Sequence, residues 1–178
     1  MLKRNGSLEV KPGEYVDYTF SNIKNLSNTY LDNFKWYDYI PTDYVRLEKM
    51  TTGIWNQDLL YNVYYKTNES DKYILFKENL KTTQEYELDF TELEFNKGIY
   101  ITEICYEFGK VDIGFREIKS PTIRCKTFKD LKDEDRFTNY TKTVGIYGEI
   151  TAEATDEWTT IVHKPKEIHP PVLPRTGE

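Results

Sequence analysis

The sequence predicts an all-β chain, an antiparallel β-sandwich followed by an extended C-terminal stem, and three observations carry that expectation. Aromatic residues abound, with 15 Tyr, 9 Phe and 3 Trp in 178 residues, and such rings fit a pleated, half-buried surface. Apolar residues recur at alternate positions in roughly ten short runs separated by turn residues, the period of strands with one buried face. No window carries the 3.6-residue apolar period of an amphipathic helix.

In chain order, Ser7 to Glu14 reads as a short strand and a turn punctuated by Pro12 and Gly13. Val16, Tyr18 and Phe20 then alternate with Tyr15, Asp17 and Thr19, and the Asn/Ser-rich stretch 22–33 reads as a loop. Phe34 to Ile40 is an aromatic strand stopped by Pro41. Tyr61, Val63 and Tyr65 form the next alternating set, followed by Tyr86, Leu88 and Phe90, and then by Ile104, Tyr106 and Phe108. Gly109-Lys110 is a turn candidate before a further strand with Val111, Ile113 and Phe115 on one face. Val144, Ile146 and Ile150 are expected to share an inward face, and Trp158, Thr160 and Val162 close the domain. One helical turn is allowed, around Phe128 to Asp133.

The charge balance excludes some functions. A formal net charge of −6 and a pI near 5.1 leave no basic footprint for phosphates, so nucleic acid is not an expected partner. No apolar run reaches bilayer length, and the basic start of the chain has no apolar segment behind it. Catalysis has little to draw on: His163 and His169 are the two histidines, both at or beyond the last strand, where nothing would orient an imidazole. The acidic cluster Asp130, Asp133, Glu134 and Asp135 lacks the alternating ligands and glycine of a calcium loop, and a solvated turn is expected, with no metal and no cofactor. By strand alternation, Cys105 shares a face with Glu103 and Glu107, and Cys125 shares one with Ile123 and Thr127. Opposite faces suit two separate thiols better than a disulfide. Tyr37, Tyr39, Tyr64 and Tyr65 are too many for one buried face, and exposed rings of this kind are candidate contacts for a host protein or glycan.

The chain closes with Lys164 to Val172, carrying prolines at 165, 170 and 171, and then Leu173-Pro174-Arg175-Thr176-Gly177-Glu178. Proline fixes φ and lacks an N–H, so this stem should be extended and available to another protein. Leu173-Pro174-Arg175-Thr176-Gly177 resembles the LPxTG sorting motif of Gram-positive surface proteins, with Arg175 at the free position. The resemblance implies that a sortase transpeptidase cuts Thr176–Gly177 and joins Thr176 to an amine of peptidoglycan or of a pilin, placing the protein outside the cell on the wall. The nucleophile would be the partner's thiolate. Members of that family continue into a hydrophobic span, so membrane contact is expected only through a segment beyond Glu178. The sequence then looks like the C-terminal part of a larger exported protein.

A second resemblance rests on Lys11-Pro12-Gly13-Glu14-Tyr15-Val16-Asp17-Tyr18-Thr19-Phe20, Trp36 to Pro41, and Phe137 to Val144. These are similar to the conserved-repeat domains of Gram-positive surface proteins. They imply an Ig-like sandwich used as a stalk or an adhesive module, and some relatives carry a Lys–Asn isopeptide cross-link. Asn139 and Asp38 would be the amide and the acid of such a link. The inward positions Val16, Tyr18 and Phe20 include no lysine, and Lys24 and Lys35 are ill placed by alternation, so no bond is expected. The division that follows is 1–6 as leader residues, 7–163 as the sandwich and 164–178 as stem and sorting motif. The leading expectation is a non-enzymatic stalk or spacer, with an adhesin-type module as the alternative.

Overall fold

The computed structural model describes residues 8–21 and 23–166, and the backbone of residues 3–6. Among the described residues the regular structure is almost entirely β-strand. It opens with β1 (Lys3–Gly6), β2 (Glu9–Val10), β3 (Tyr15–Ser21), β4 (Leu31–Tyr39), β5 (Val45–Thr51) and β6 (Ile54–Trp55). There follow β7 (Leu60–Thr67), β8 (Ser70–Lys81), β9 (Glu87–Asp89) and a single 3-10 turn over Phe90–Glu92. The second half holds β10 (Ile101–Val111), β11 (Glu117–Lys119), β12 (Thr122–Thr127), β13 (Arg136–Tyr147) and β14 (Ile150–Val162).

These strands form an antiparallel β-sandwich. A five-stranded sheet in the order β1-β3-β12-β5-β9 faces a seven-stranded sheet in the order β2-β14-β13-β4-β10-β7-β8, and β11 and β6 form a small side ribbon. Every pairing is antiparallel except that of β2 with β14. Lys3–Gly6 pairs with β3, so the first residues of the chain extend the five-stranded sheet.

Between the sheets lies an aromatic core. Val16, Tyr18 and Phe20 point into it from β3, Trp36 from β4, Tyr61 and Val63 from β7, and Ile104, Tyr106 and Phe108 from β10, all as their alternation requires. Trp36 meets Phe20 at 4.9 Å and Tyr106 at 4.8 Å, both edge to face, and Trp55 meets Phe108 at 5.0 Å. Each indole N–H is satisfied: Trp36 Nε1 donates to Thr141 Oγ1 at 2.6 Å and Trp55 Nε1 to the Ile23 carbonyl at 3.2 Å. A buried ring of this size contributes a few kcal/mol, about 3–5 on truncation to alanine.

Four local expectations are overturned. Gly109-Lys110 is no turn, because β10 runs through it; Gly109, at φ 75°, sits at register shifts against β4, the mark of a bulge. The strand expected over 111–115 is replaced by a turn in which the Phe115 N–H donates to the Asp112 carbonyl; Phe115 is buried but Ile113 is exposed. The helical turn falls at Phe90–Glu92, where Asp89 accepts from the Thr91 N–H at 3.0 Å. At Phe128 the backbone is instead claimed by other elements, donating to Tyr44 and accepting from Gly13. Last, β13 faces the other way. Its buried positions are Phe137, Asn139, Thr141, Thr143 and Gly145, while Val144 and Ile146 lie on the outer side and Ile150 is 68% exposed.

Gly145 explains part of that inversion. A Cβ there would stand 2.9 Å from both Cβ and Cδ1 of Leu31 and 3.1 Å from Phe34, so only glycine lets β13 close on this corner of the core. Gly145→Ala is therefore expected to cost about 1–3 kcal/mol by overpacking, and Val144→Thr, on the outer face, distinctly less. Urea unfolding of the two variants checks this; the opposite order would return Val144 to the core.

Candidate functional site

Leu173, Pro174, Arg175, Thr176 and Gly177, the residues expected to meet a sortase, lie outside the described residues, as does His169. The described part of the stem, 164–166, is exposed, and the Lys164 N–H donates to Asp133 at 2.8 Å. That contact accounts for part of the acidic turn: Asp133 also stands 3.8 Å from His163 Nδ1, and Asp135 accepts from the Lys132 N–H at 2.8 Å. Among the described residues no group of three His, Cys, Asp or Glu could hold a metal ion. His163 is a solvated side chain at 61% exposure.

The outer face of the seven-stranded sheet carries the tyrosines. Tyr37 and Tyr39 from β4 stack at 6.5 Å, Tyr37 meets Tyr73 of β8 at 6.0 Å, and Tyr39 meets Tyr140 of β13 at 5.5 Å. Tyr65, expected among them, is instead buried and packs on Phe76 and Phe95, because it shares the inward face of β7 with Tyr61 and Val63. Ammonium groups lie over three of these rings. Lys142 lies over Tyr37 at 5.3 Å and Tyr39 at 5.9 Å, and Lys66 over Tyr73 at 4.5 Å. The Tyr73 hydroxyl donates to Glu103 at 2.6 Å, and Glu103 in turn pairs with Lys66 at 3.7 Å. A ring whose face holds an ammonium presents little surface to stack a sugar.

Cys105 sits beneath this layer and Cys125 in the core, both as free buried thiols on opposite sides of their sheets. Burial pushes the Cys105 thiol up to about 12, and the phenol of Tyr37 rises to about 12 for the same reason. Burial also raises Tyr73 and Tyr106.

Inside the core is a polar pair. Asn139 Nδ2 donates to Asp38 Oδ2 at 2.9 Å and to the Tyr39 carbonyl at 3.2 Å, and both side chains are fully buried. An amide beside a carboxylate could accept an amine only if one reached it. No lysine is among the buried residues of the described chain, and Lys35 points outward to Glu107 at 3.8 Å.

A concavity that sequence reasoning missed lies on the other sheet. On the outer face of the five-stranded sheet lies a groove of about 630 Å³, lined by residues of β3, β12, β5 and β9 together with Glu92. Register builds it in two rows. Thr122 lies between Thr19 and Thr51, and Thr51 faces Glu87; Arg124 lies between Asp17 and Lys49, and Lys49 faces Asp89. Thr51 and Thr122 share a hydroxyl hydrogen bond at 2.5 Å, and Arg124 grips Asp17 with two at 2.7 and 3.0 Å. Outward Thr and charged residues are visible in the sequence, but four strands far apart in the chain had to be placed side by side.

No protein-family model and no curated protein matches the sequence. Several solved structures are similar to it, three of them as follows. AvmM, which catalyzes macrocyclization in alchivemycin A biosynthesis, is 8% identical over 94% of this chain and 92% of its own, with a TM-score of 0.33. The collagen-binding subdomain ACE19 of the Enterococcus faecalis surface protein ACE is 8% identical over 91% and 95%, at 0.34. The collagen-binding domain of a Staphylococcus aureus adhesin is 12% identical over 91% and 96%, at 0.31. At these TM-scores the likeness carries no argument about function.

Both thiols should resist iodoacetamide at pH 8 in the folded protein and react once urea unfolds it. Because folding raises the thiol and phenol pKa values, stability should be full below about pH 9 and fall as pH climbs toward 12. Rapid native alkylation, or stability rising with alkali, would contradict the burial. Separately, Asn139→Ala removes an amide donor from the buried Asp38 carboxylate and should cost about 1.5–3 kcal/mol. The intact mass should match the unmodified sequence, and a mass short by one ammonia would reveal a cross-link.

Proposed function

We propose that this chain is a non-enzymatic β-sandwich domain of a surface protein, joined covalently to the cell wall by a sortase and serving there as a stalk or spacer. The observation that carries the reading is Leu173-Pro174-Arg175-Thr176-Gly177 placed behind prolines 165, 170 and 171. An extended stem lets the motif enter an enzyme's groove while the sandwich stays folded. The partners are the sortase and an amine of peptidoglycan or of a pilin, and the location is extracellular. Support for a non-enzymatic role comes from chemistry: His163 is solvated, both thiols are buried and pushed toward the neutral form, and a nucleophile needs an oriented base beside it.

A second reading is a binding module for a host protein or glycan, and the lysines over Tyr37, Tyr39 and Tyr73 weaken it at the exposed tyrosines. The groove on the other sheet favours it instead, since concave, mixed-polarity sites of this volume are where ligands bind.

The test of anchoring is direct. A purified sortase with an amine nucleophile should release Gly177-Glu178 and leave the protein joined through Thr176, and Thr176→Ala or Pro174→Ala should abolish the reaction with circular dichroism unchanged. Failure with an enzyme that processes a control peptide of the same motif would remove the main support for surface display.

A further inference from the structure

We infer that the groove on the five-stranded sheet is a docking site for an extended polypeptide segment carrying lysine or arginine side chains. The inference rests on the binding-module reading. Its first support is charge. Six charged side chains line the groove, four acidic and two basic. Asp17 is neutralised by the two-pronged contact of Arg124. Asp89 is held low by the hydroxyl and N–H of Thr91, with Lys49 adding to the effect. Glu87 and Glu92 remain, both exposed and in no ion pair of the described residues, at the end of the groove formed by β9 and the 3-10 turn. Their charge is uncompensated, and a cationic side chain would supply the missing partner.

Geometry selects the form of the ligand. The floor is a row of threonines from β3, β12 and β5, whose hydroxyls can donate to or accept from a peptide backbone. Along each strand the outward positions repeat every second residue, roughly 6.6–6.8 Å, which is also the spacing of same-side residues in an extended peptide. Side chains of such a peptide would alternate between the threonine row and the charged row. No aromatic residue lines the groove, so a sugar would lack the ring face it stacks on. The acidic balance also opposes nucleic acid.

The test uses three probes against the isotopically labelled full chain: a (Lys-Ser)5 peptide, a (Glu-Ser)5 peptide and a neutral oligosaccharide, each titrated while amide shifts are followed by NMR. The lysine peptide alone should move Thr19, Thr51, Glu87, Leu88 and Thr122, and Glu87→Gln with Glu92→Gln should weaken it about 2–30-fold, the loss of two rim charges worth about 0.2–1 kcal/mol each. Both replaced side chains are exposed, so the melting temperature should hold. If the acidic peptide or the oligosaccharide moves these residues instead, the cationic specificity is wrong and the module reading stands. If no probe moves them, both are wrong. Undiminished lysine-peptide binding to the double variant would overturn the role given to Glu87 and Glu92.

Discussion

The register of β13 against β4 is the constraint on which the rest of this sandwich depends. It is set by buried polar contacts: Trp36 to Thr141, Asn139 to Asp38, and the Thr141 hydroxyl to the Tyr37 carbonyl at 2.8 Å. A polar group buried without a partner costs about 1–3 kcal/mol, and slipping β13 by one residue would strand all of these at once. The slip would also drive Lys142 into the core and bring a Cβ where only Gly145 fits. Hydrophobicity alone would choose the other face, with Val144 and Ile146 inward. The hydrogen bonds and the close approach of Leu31 outweigh it.

With β13 fixed, the two outer faces of the sandwich take different characters. On the seven-stranded sheet, Lys142 comes to lie over Tyr37 and Tyr39, while Lys66, Tyr73 and Glu103 close a second set of contacts. That face satisfies itself. On the five-stranded sheet, strands from the first third of the chain meet β12, and short side chains at Thr19, Thr51 and Thr122 leave a depression between longer charged neighbours. A surface with threonines in its middle and unpaired carboxylates at one end stays open to a partner. A stalk can use the first face as a weatherproof skin; a binding role would need the second.

Much of this was legible in the chain. Strand alternation grouped Val16, Tyr18 and Phe20, Tyr61 and Val63, and Ile104, Tyr106 and Phe108 on the faces that are buried, because period-2 patterning reports one buried face whatever the partner strand. The same pattern put Cys105 and Cys125 on faces that do not meet, and the pairing of Asp38 with Asn139 followed from a resemblance carried by a few letters. The resemblance of Leu173 to Gly177 to a sorting motif, and the prolines before it, are read from the letters alone.

What the tertiary structure decided are the places where a residue's role depends on what crosses it. Gly109 could be a turn or a bulge, and only the continuity of β10 against β4 chose the bulge. The apolar letters of Val144 and Ile146 lost to polar residues whose partners, Asp38 and Trp36, stand about a hundred positions away. The groove required β3, β5, β9 and β12 to lie side by side. Periodicity is a local property of the chain and sequence reports it well; register and surface shape arise from pairs of distant segments, and only folding brings those pairs together.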